Sequence, residues 1–371
     1  MIGLPAFVER VPDLASELGV IIGRLGGEPV IVTDVHLAAA GVCDPVATVL
    51  GCEVMLVPGG EPVAASVGAL ARALRDRDAD VVVAVGGGSV IDTVKLAARL
   101  VADPDGLSGR LSSAAPFPPA SAAVVAVPTT SGSGAEVTRT AIVSEGGRKR
   151  WAWDERLRPD VAVLAPELTA TVPRPIAVAA GLDAFVHAVE AATGRRSTAE
   201  VAALGFEAAA MLLTGLPVMI EHPDRTPVRS TVMEAATAAG CAIDLGGTGI
   251  GHAVGHALGS IGTIPHGLAV MLGLRAGLAW TLAAASDAYA GLARRLVPGG
   301  APDGLTAVLD EMLDAVGFRA ELEKWPPPSR EALAAEMASI DHQPMRLNNA
   351  RPISEGDITD VAGLVCDWWP G

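Results

Sequence analysis

"VVVAVGGGSVIDTVKLAARL", residues 81–100, decides the fold. A β-branched run stops at three consecutive glycines, and a helical pattern begins at once. A strand without polar alternation is buried on both faces, as in a parallel sheet covered by helices. Glycines at its end let backbone N–H groups approach an anion without a Cβ in the way, and the helix start adds its positive dipole end. A pyrophosphate suits that arrangement; a tight strand-to-helix turn is the other reading. The spacing is neither a Walker loop nor Gly-x-Gly-x-x-Gly.

Further out, "EPVIVTD" (28–34), "CEVMLVP" (52–58) and "SAAVVAVPTTSGSG" (121–134) share this texture, with helical patterns between them. The alternation predicts an α/β domain with a parallel Rossmann-like sheet, which binds ligands beyond the carboxyl ends of its strands. "PTTSGSGAEVT" (128–138) sets a second Gly/Ser/Thr turn at a neighbouring strand end, with hydroxyls suited to phosphate or a nicotinamide amide. Asp34 closes an earlier strand. There a carboxylate accepts from a ribose 2′-hydroxyl and repels a 2′-phosphate, favouring NAD over NADP, or else it caps the next helix.

From about residue 174 the strand texture gives way to alanine-rich helical periodicity. The three prolines of "APELTATVPRP" (165–175) mark the change. The expected organisation is a dinucleotide-binding α/β domain over 1–170 and an all-α domain over 171–371, with the cleft between them as the default site. The length of 371 residues suits two domains. With one tyrosine and five phenylalanines, the cores must rest on Ala, Val, Leu and Ile. A net charge of -15 without any Lys/Arg block argues against nucleic-acid and anionic-membrane partners. The four cysteines lack Cys-x-x-Cys spacing and read as buried thiols in a reducing compartment. The N-terminus turns polar too soon for a secretory signal, and Arg275 interrupts the longest apolar run. A soluble cytoplasmic protein is expected.

In "GLDAFVHAVEA" (181–191), Asp183 and His187 share one helix face at i and i+4. "GIGHAVGHALGSIGTIPHG" (249–267) carries His252, His256 and His266, three of the seven histidines in the chain. A zinc-protease helix fails here, because Ala253 stands where its general base would be. One Asp and two or three His on apolar backgrounds suit a divalent-metal shell of nitrogen and oxygen ligands. Burying so many imidazoles without metal or hydrogen bonds is costly.

Taken together these stretches resemble the iron-containing (group III) alcohol dehydrogenase family, within the dehydroquinate synthase-like superfamily. The family turn GGGSxxDxxK is matched by Gly86, Gly87, Gly88, Ser89, Asp92 and Lys95. Its PTTxGTGSEVT loop is matched with Ala135 in place of serine, and its GxDAxxHAxEA and GxxHxxxHxxGxxxxxPHG stretches are matched without a gap. The resemblance implies a metal held by Asp183, His187, His252 and His266, with His256 near the nicotinamide and assisting proton transfer. It implies cofactor contacts from Gly86, Gly87, Gly88, Ser89, Asp92, Thr129, Thr130, Ser133 and Lys149, a nicotinamide wall at Leu168, and an NAD-selecting acid at Asp34.

The activity implied is metal-dependent, NAD(H)-linked interconversion of a small alcohol and its carbonyl form, by a homodimer or larger homo-oligomer. Fe²⁺ is the metal implied, although a His₃Asp shell should hold Zn²⁺ more tightly. Relatives leave open a maleylacetate- or phosphonoacetaldehyde-reductase-like activity, or a dehydroquinate-synthase-like lyase or cyclase using NAD transiently. Ala165, Ala191, Leu245, a short or missing first strand and "MRLNNARPISEGDI" (345–358) depart from the family pattern and leave the substrate undefined.

Overall fold

The run ending in glycines is an inner strand of a six-stranded, wholly parallel sheet. The computed structural model describes residues 5, 7–11, 13–113, 115–119, 121–262 and 264–369. Its strands are β1 (Val8–Arg10), β2 (Pro29–Asp34), β3 (Val54–Val57), β4 (Val81–Gly86), β5 (Ala123–Pro128), β6 (Thr140–Glu145), β7 (Arg148–Trp153) and β8 (Val161–Leu164). The main sheet runs β1-β8-β5-β4-β2-β3. It is wrapped by α1 (Leu14–Leu25), α2 (Val35–Ala39), α3 (Asp44–Leu50), α4 (Ala64–Asp76) and α5 (Gly88–Arg99).

Successive residues of the central strands serve opposite cores. Val82, Ala84, Val124 and Ala126 pack with Val67, Leu70, Ile91 and Val94 of α4 and α5. Val81, Val83, Val85, Val125 and Val127 pack with Leu18, Ile22 and Val46 of α1 and α3. Full burial of each valine, leucine or isoleucine side chain here is worth about 1.5–3 kcal/mol, so a polar residue on either face would be penalised. From β2 the chain crosses to β3 on one side, and from neighbouring β4 to β5 on the other. The topological switch point therefore lies between the carboxyl ends of β2 and β4, at Asp34 and Gly86.

Three strands were not anticipated from sequence. β6 and β7 form an antiparallel hairpin closed by Gly146 and Gly147, both at positive φ (60° and 78°), as a primed hairpin turn requires. β8 is only four residues long. At the sheet edge β1 has three residues and pairs with β8; the stretch before Gly3, where the family's ordinary first strand is expected to be short or missing, lies outside the described residues.

The chain divides into two compact units at Val172/Pro173, two residues past the boundary read from the prolines. The second unit is helical: α6 (Arg174–Thr193), α7 (Ala199–Glu221), α8 (Thr226–Gly246), α9 (Ile250–Ile261), α10 (His266–Leu296), α11 (Leu305–Val316), α12 (Phe318–Leu322), α13 (Arg330–Met337), α14 (Gln343–Asn348) and α15 (Ile358–Trp368). By length and composition, α6, α7 and α10 are apolar enough to cross a membrane. Small residues at their crossings let the backbones approach closely. At Gly267, the second residue of α10, a Cβ would lie 1.8 Å from the carbonyl oxygen of Ala179 on α6. The four cysteines are free thiols; only Cys43 is fully buried, and the other three are half-buried. Burial pushes the thiols of Cys43, Cys52 and Cys366 up.

Candidate active site

α6 brings Asp183 and His187 onto one face, one turn apart. α9 brings His252 in its first turn and His256 one turn later, and α10 begins at His266. These three helices converge on a single atom. Asp183 Oδ1 stands 3.6 Å from His187 Nε2, 3.7 Å from His252 Nε2 and 3.7 Å from His266 Nε2. The rings of His187 and His252 stack, 4.8 Å between centroids. Ligand atoms about 2.0–2.2 Å from a cation stand roughly 3.3–3.6 Å apart in a tetrahedron. The ligand atoms of Asp183, His187 and His252 all lie within 4.8 Å of one another, a group that could hold a metal ion, and His266 joins them through its approach to Asp183.

Two further observations fit a cation. Asp183 Oδ1 and His252 Nε2 are buried and have no hydrogen-bond partner. With His252 neutral and its proton on Nδ1, these are two acceptors facing each other, which is expensive unless something positive, a cation or a proton, lies between them. Burial opposes charge on His252, but Glu190 and, behind it, Asp183 outweigh that and raise its pKa above the ordinary value. The pocket thus favours positive charge, and its one oxygen and three nitrogens suit Fe²⁺ or Zn²⁺.

His256 stands beside this shell. Its ring lies 5.4 Å from that of His266 and 5.9 Å from that of His252. The His266 side chain is 36% exposed, against 10% for Asp183 and 3% for His252, so the shell opens on the His266 side.

Sequence reasoning passed over Glu190, although the quoted helix contains it. It lies three residues beyond His187 on the same face and is buried. Its carboxylate accepts from His252 Nδ1 at 2.7 Å, from Gly249 N at 2.8 Å and from Gly251 N. The departure "LNN" also has a structural part. Asn349 Oδ1 accepts from Ile250 N, and Asn348 Nδ2 donates to the carbonyls of Gly246 and Thr248. Together they hold the segment that delivers His252.

In the α/β unit, register pairs Gly86 with Pro128, so the two Gly-rich turns are neighbours. A Cβ on Gly88 would lie 2.5 Å from Ser133 Oγ, and one on Gly87 3.3 Å from Thr130 Oγ1. The glycines are therefore needed for this close packing as well as for a backbone approach to an anion. Ser89 is exposed, Thr130 is half-buried, and Thr129 is buried, its N–H bonded to Gly86 O. Asp34 Oδ1 accepts from His36 N and Leu37 N at 2.7 and 2.9 Å, so the capping arrangement is present at the switch point.

Three further residues that the resemblance assigns to the cofactor have partners within the fold. Asp92 is turned inward: Oδ1 meets Lys95 Nζ at 3.3 Å and Oδ2 accepts from Ile142 N at 2.9 Å. Lys149 lies on the hairpin, paired with Glu61 at 3.1 Å. Leu168 is buried with Val163 and Ala165 in the sheet core. These placements follow from pairing and burial that no local pattern announces.

The iron-containing alcohol dehydrogenase model matches residues 5–166, and the C-terminal model of the Fe-containing alcohol dehydrogenase family matches residues 177–363. The Salmonella typhimurium LT2 protein named "Probable alcohol dehydrogenase EutG" is 30% identical over 339 residues, 89% of this chain and 85% of that protein. The NAD-dependent methanol dehydrogenase of Bacillus methanolicus is 29% identical over 292 residues, 76% of each chain. In fold, the chain superposes on sulfoacetaldehyde reductase from Bifidobacterium kashiwanohense, solved with NAD⁺, with a TM-score of 0.88, 23% identity and 99% of each chain covered. The chain belongs to the iron-containing alcohol dehydrogenase family. It is an oxidoreductase acting on CH–OH groups.

Proposed function

We propose that the protein interconverts a small alcohol and its aldehyde with NAD(H), using a divalent metal, Fe²⁺ by family, held by Asp183, His187, His252 and His266. The observation that carries this is the set of three imidazole Nε2 atoms at 3.6–3.7 Å around one buried carboxylate oxygen. When bound, the metal supplies Lewis acidity toward the substrate oxygen and NAD accepts or returns the hydride. The protein's own part is placement. α6, α9 and α10 fix the four side chains before substrate arrives, and the exposed side of His266 is the way in. His256, next to that opening and off the carboxylate, moves the hydroxyl proton. Gly86, Gly87, Gly88, Ser89, Thr130 and Ser133 cradle the pyrophosphate at the start of α5, and Asp34 takes the adenosine ribose.

The test is NADH oxidation against a panel of short aldehydes, with and without added Fe²⁺. Metal-dependent NADH loss with at least one small aldehyde is expected. Turnover indifferent to metal, or product formed with no net change in NADH, would overturn the reading; the latter is the behaviour of a lyase using NAD transiently.

A further inference from the structure

We infer that Glu190 is the positioning residue of this centre: one buried carboxylate fixes the tautomer of His252 and aims the helix that carries it. The inference rests on the metal reading above. α9 is preceded by Gly249 at its N-cap, which has no side chain to cap it. Its first amides are met from elsewhere, Gly249 N and Gly251 N by Glu190 and Ile250 N by Asn349. An anionic group there also faces the positive end of the helix dipole. The same carboxylate accepts a hydrogen bond from His252 Nδ1 at 2.7 Å.

A carboxylate can only accept. Nδ1 must therefore carry the proton, and Nε2 presents its lone pair toward Asp183 Oδ1. Because α6 bears Asp183, His187 and Glu190, it sets three of the four proposed ligands, two directly and His252 through Glu190. Glutamine cannot replace this. With its oxygen at the Oε2 position, its NH₂ meets the Gly251 N–H, donor against donor. Reversed, the NH₂ faces the Gly249 N–H and draws the His252 proton round to Nε2, the atom that should bind metal.

Co²⁺ is the probe. Wild-type protein, Glu190→Gln and Glu190→Asp are titrated by chelator competition, and the visible d–d bands are recorded for each. Glu190→Gln is expected to bind Co²⁺ about 10–100-fold more weakly, the range for losing such a partner, with shifted bands and an unchanged metal-free circular dichroism spectrum. Affinity within about twofold of wild type, with identical bands, overturns the inference, since such partners ordinarily matter at least tenfold. Should Glu190→Gln fail to fold, Glu190→Asp carries the test. It keeps the charge but draws the carboxylate back by about one bond length, ~1.5 Å. A loss of about tenfold is expected, and wild-type affinity overturns the role. Wild-type protein that takes up no Co²⁺ refutes the metal centre itself, and Glu190's part with it. Wild-type uptake matched by both variants refutes Glu190 alone.

Discussion

His252 Nε2 and Asp183 Oδ1 face each other at 3.7 Å, both buried and neither hydrogen-bonded. An arrangement of that kind is stabilised by a cation and strained without one. Chelation should therefore abolish turnover and lower the melting temperature together. Metal at about 100 times its Kd adds ~2.7 kcal/mol. That corresponds to roughly 5–10 °C for a unit of this size. Scanning calorimetry with and without Fe²⁺ or Zn²⁺ reads the shift, and a melting curve indifferent to metal would contradict the site.

His266 and His256 are separable by substitution. His266→Ala removes a proposed ligand and should lose bound metal and activity together. His256→Ala should keep its metal, measured by atomic absorption, while kcat falls by about 10²–10⁴-fold, the range for a lost proton-transfer group. Retention of full activity by both variants would sink the assignment of roles.

The sequence carried most of this because its signals are local. Two-sided burial writes itself as unbroken β-branched runs, and i, i+4 spacing puts Asp183 with His187 and His252 with His256. The hairpin was missed although Gly146-Gly147 is its turn signal, because β7, "RKRWAW", is half charged, mostly exposed and carries no polar–apolar alternation over its first three residues. Glu190, Asn348 and Asn349 act across 59 to 102 residues of sequence. Nothing in a local pattern reports such a partner. Asp92 shows the converse: a residue inside a cofactor motif whose bonds run to Lys95 and Ile142.

Asp34 offers a clean separation of two roles. Asparagine caps a helix as well as aspartate does, so Asp34→Asn should leave thermal stability within about 0.5 kcal/mol of wild type. The substitution removes the charge that repels a 2′-phosphate. The ratio of kcat/KM for NADP⁺ to that for NAD⁺ should rise by roughly tenfold, equivalent to about 1.4 kcal/mol. An unchanged ratio would leave Asp34 as a cap only.

Gly267 follows His266 directly, and its α-carbon faces the Ala179 carbonyl. A Cβ at 1.8 Å from a backbone oxygen cannot be absorbed by side-chain rotation, so α10 must move away from α6. Gly267→Ala should cost about 3 kcal/mol or more by overpacking. It should also carry His266 away from Asp183, so metal affinity falls even in the fraction that stays folded. Equilibrium dialysis on protein shown to be folded checks the second effect; wild-type affinity there would mean that the crossing does not set the ligand.

Lys95 is completely buried, and its three ammonium N–H groups are shared among four acceptors within reach, Asp92 Oδ1, Ala135 O, Thr138 Oγ1 and Thr140 O. It ties α5 to the loop that carries Thr129, Thr130 and Ser133. Burial pushes the Asp92 carboxyl up, and Lys95 is the chief opposing influence. Lys95→Met removes that opposition and leaves a buried carboxylate uncompensated, a loss of about 3–5 kcal/mol at neutral pH. The sign with pH follows from the raised carboxyl. Stability is fully present below the unfolded value and is lost as pH rises through the higher folded one, so the variant should be steadier in mild acid than at pH about 8. Adding Asp92→Asn removes the stranded charge, and the double variant should recover part of the loss and lose this pH dependence. Urea unfolding of the wild type, both single variants and the pair closes the cycle. Additive single effects would show that the two residues are not coupled, and the loop would then owe its position to something other than this ion pair.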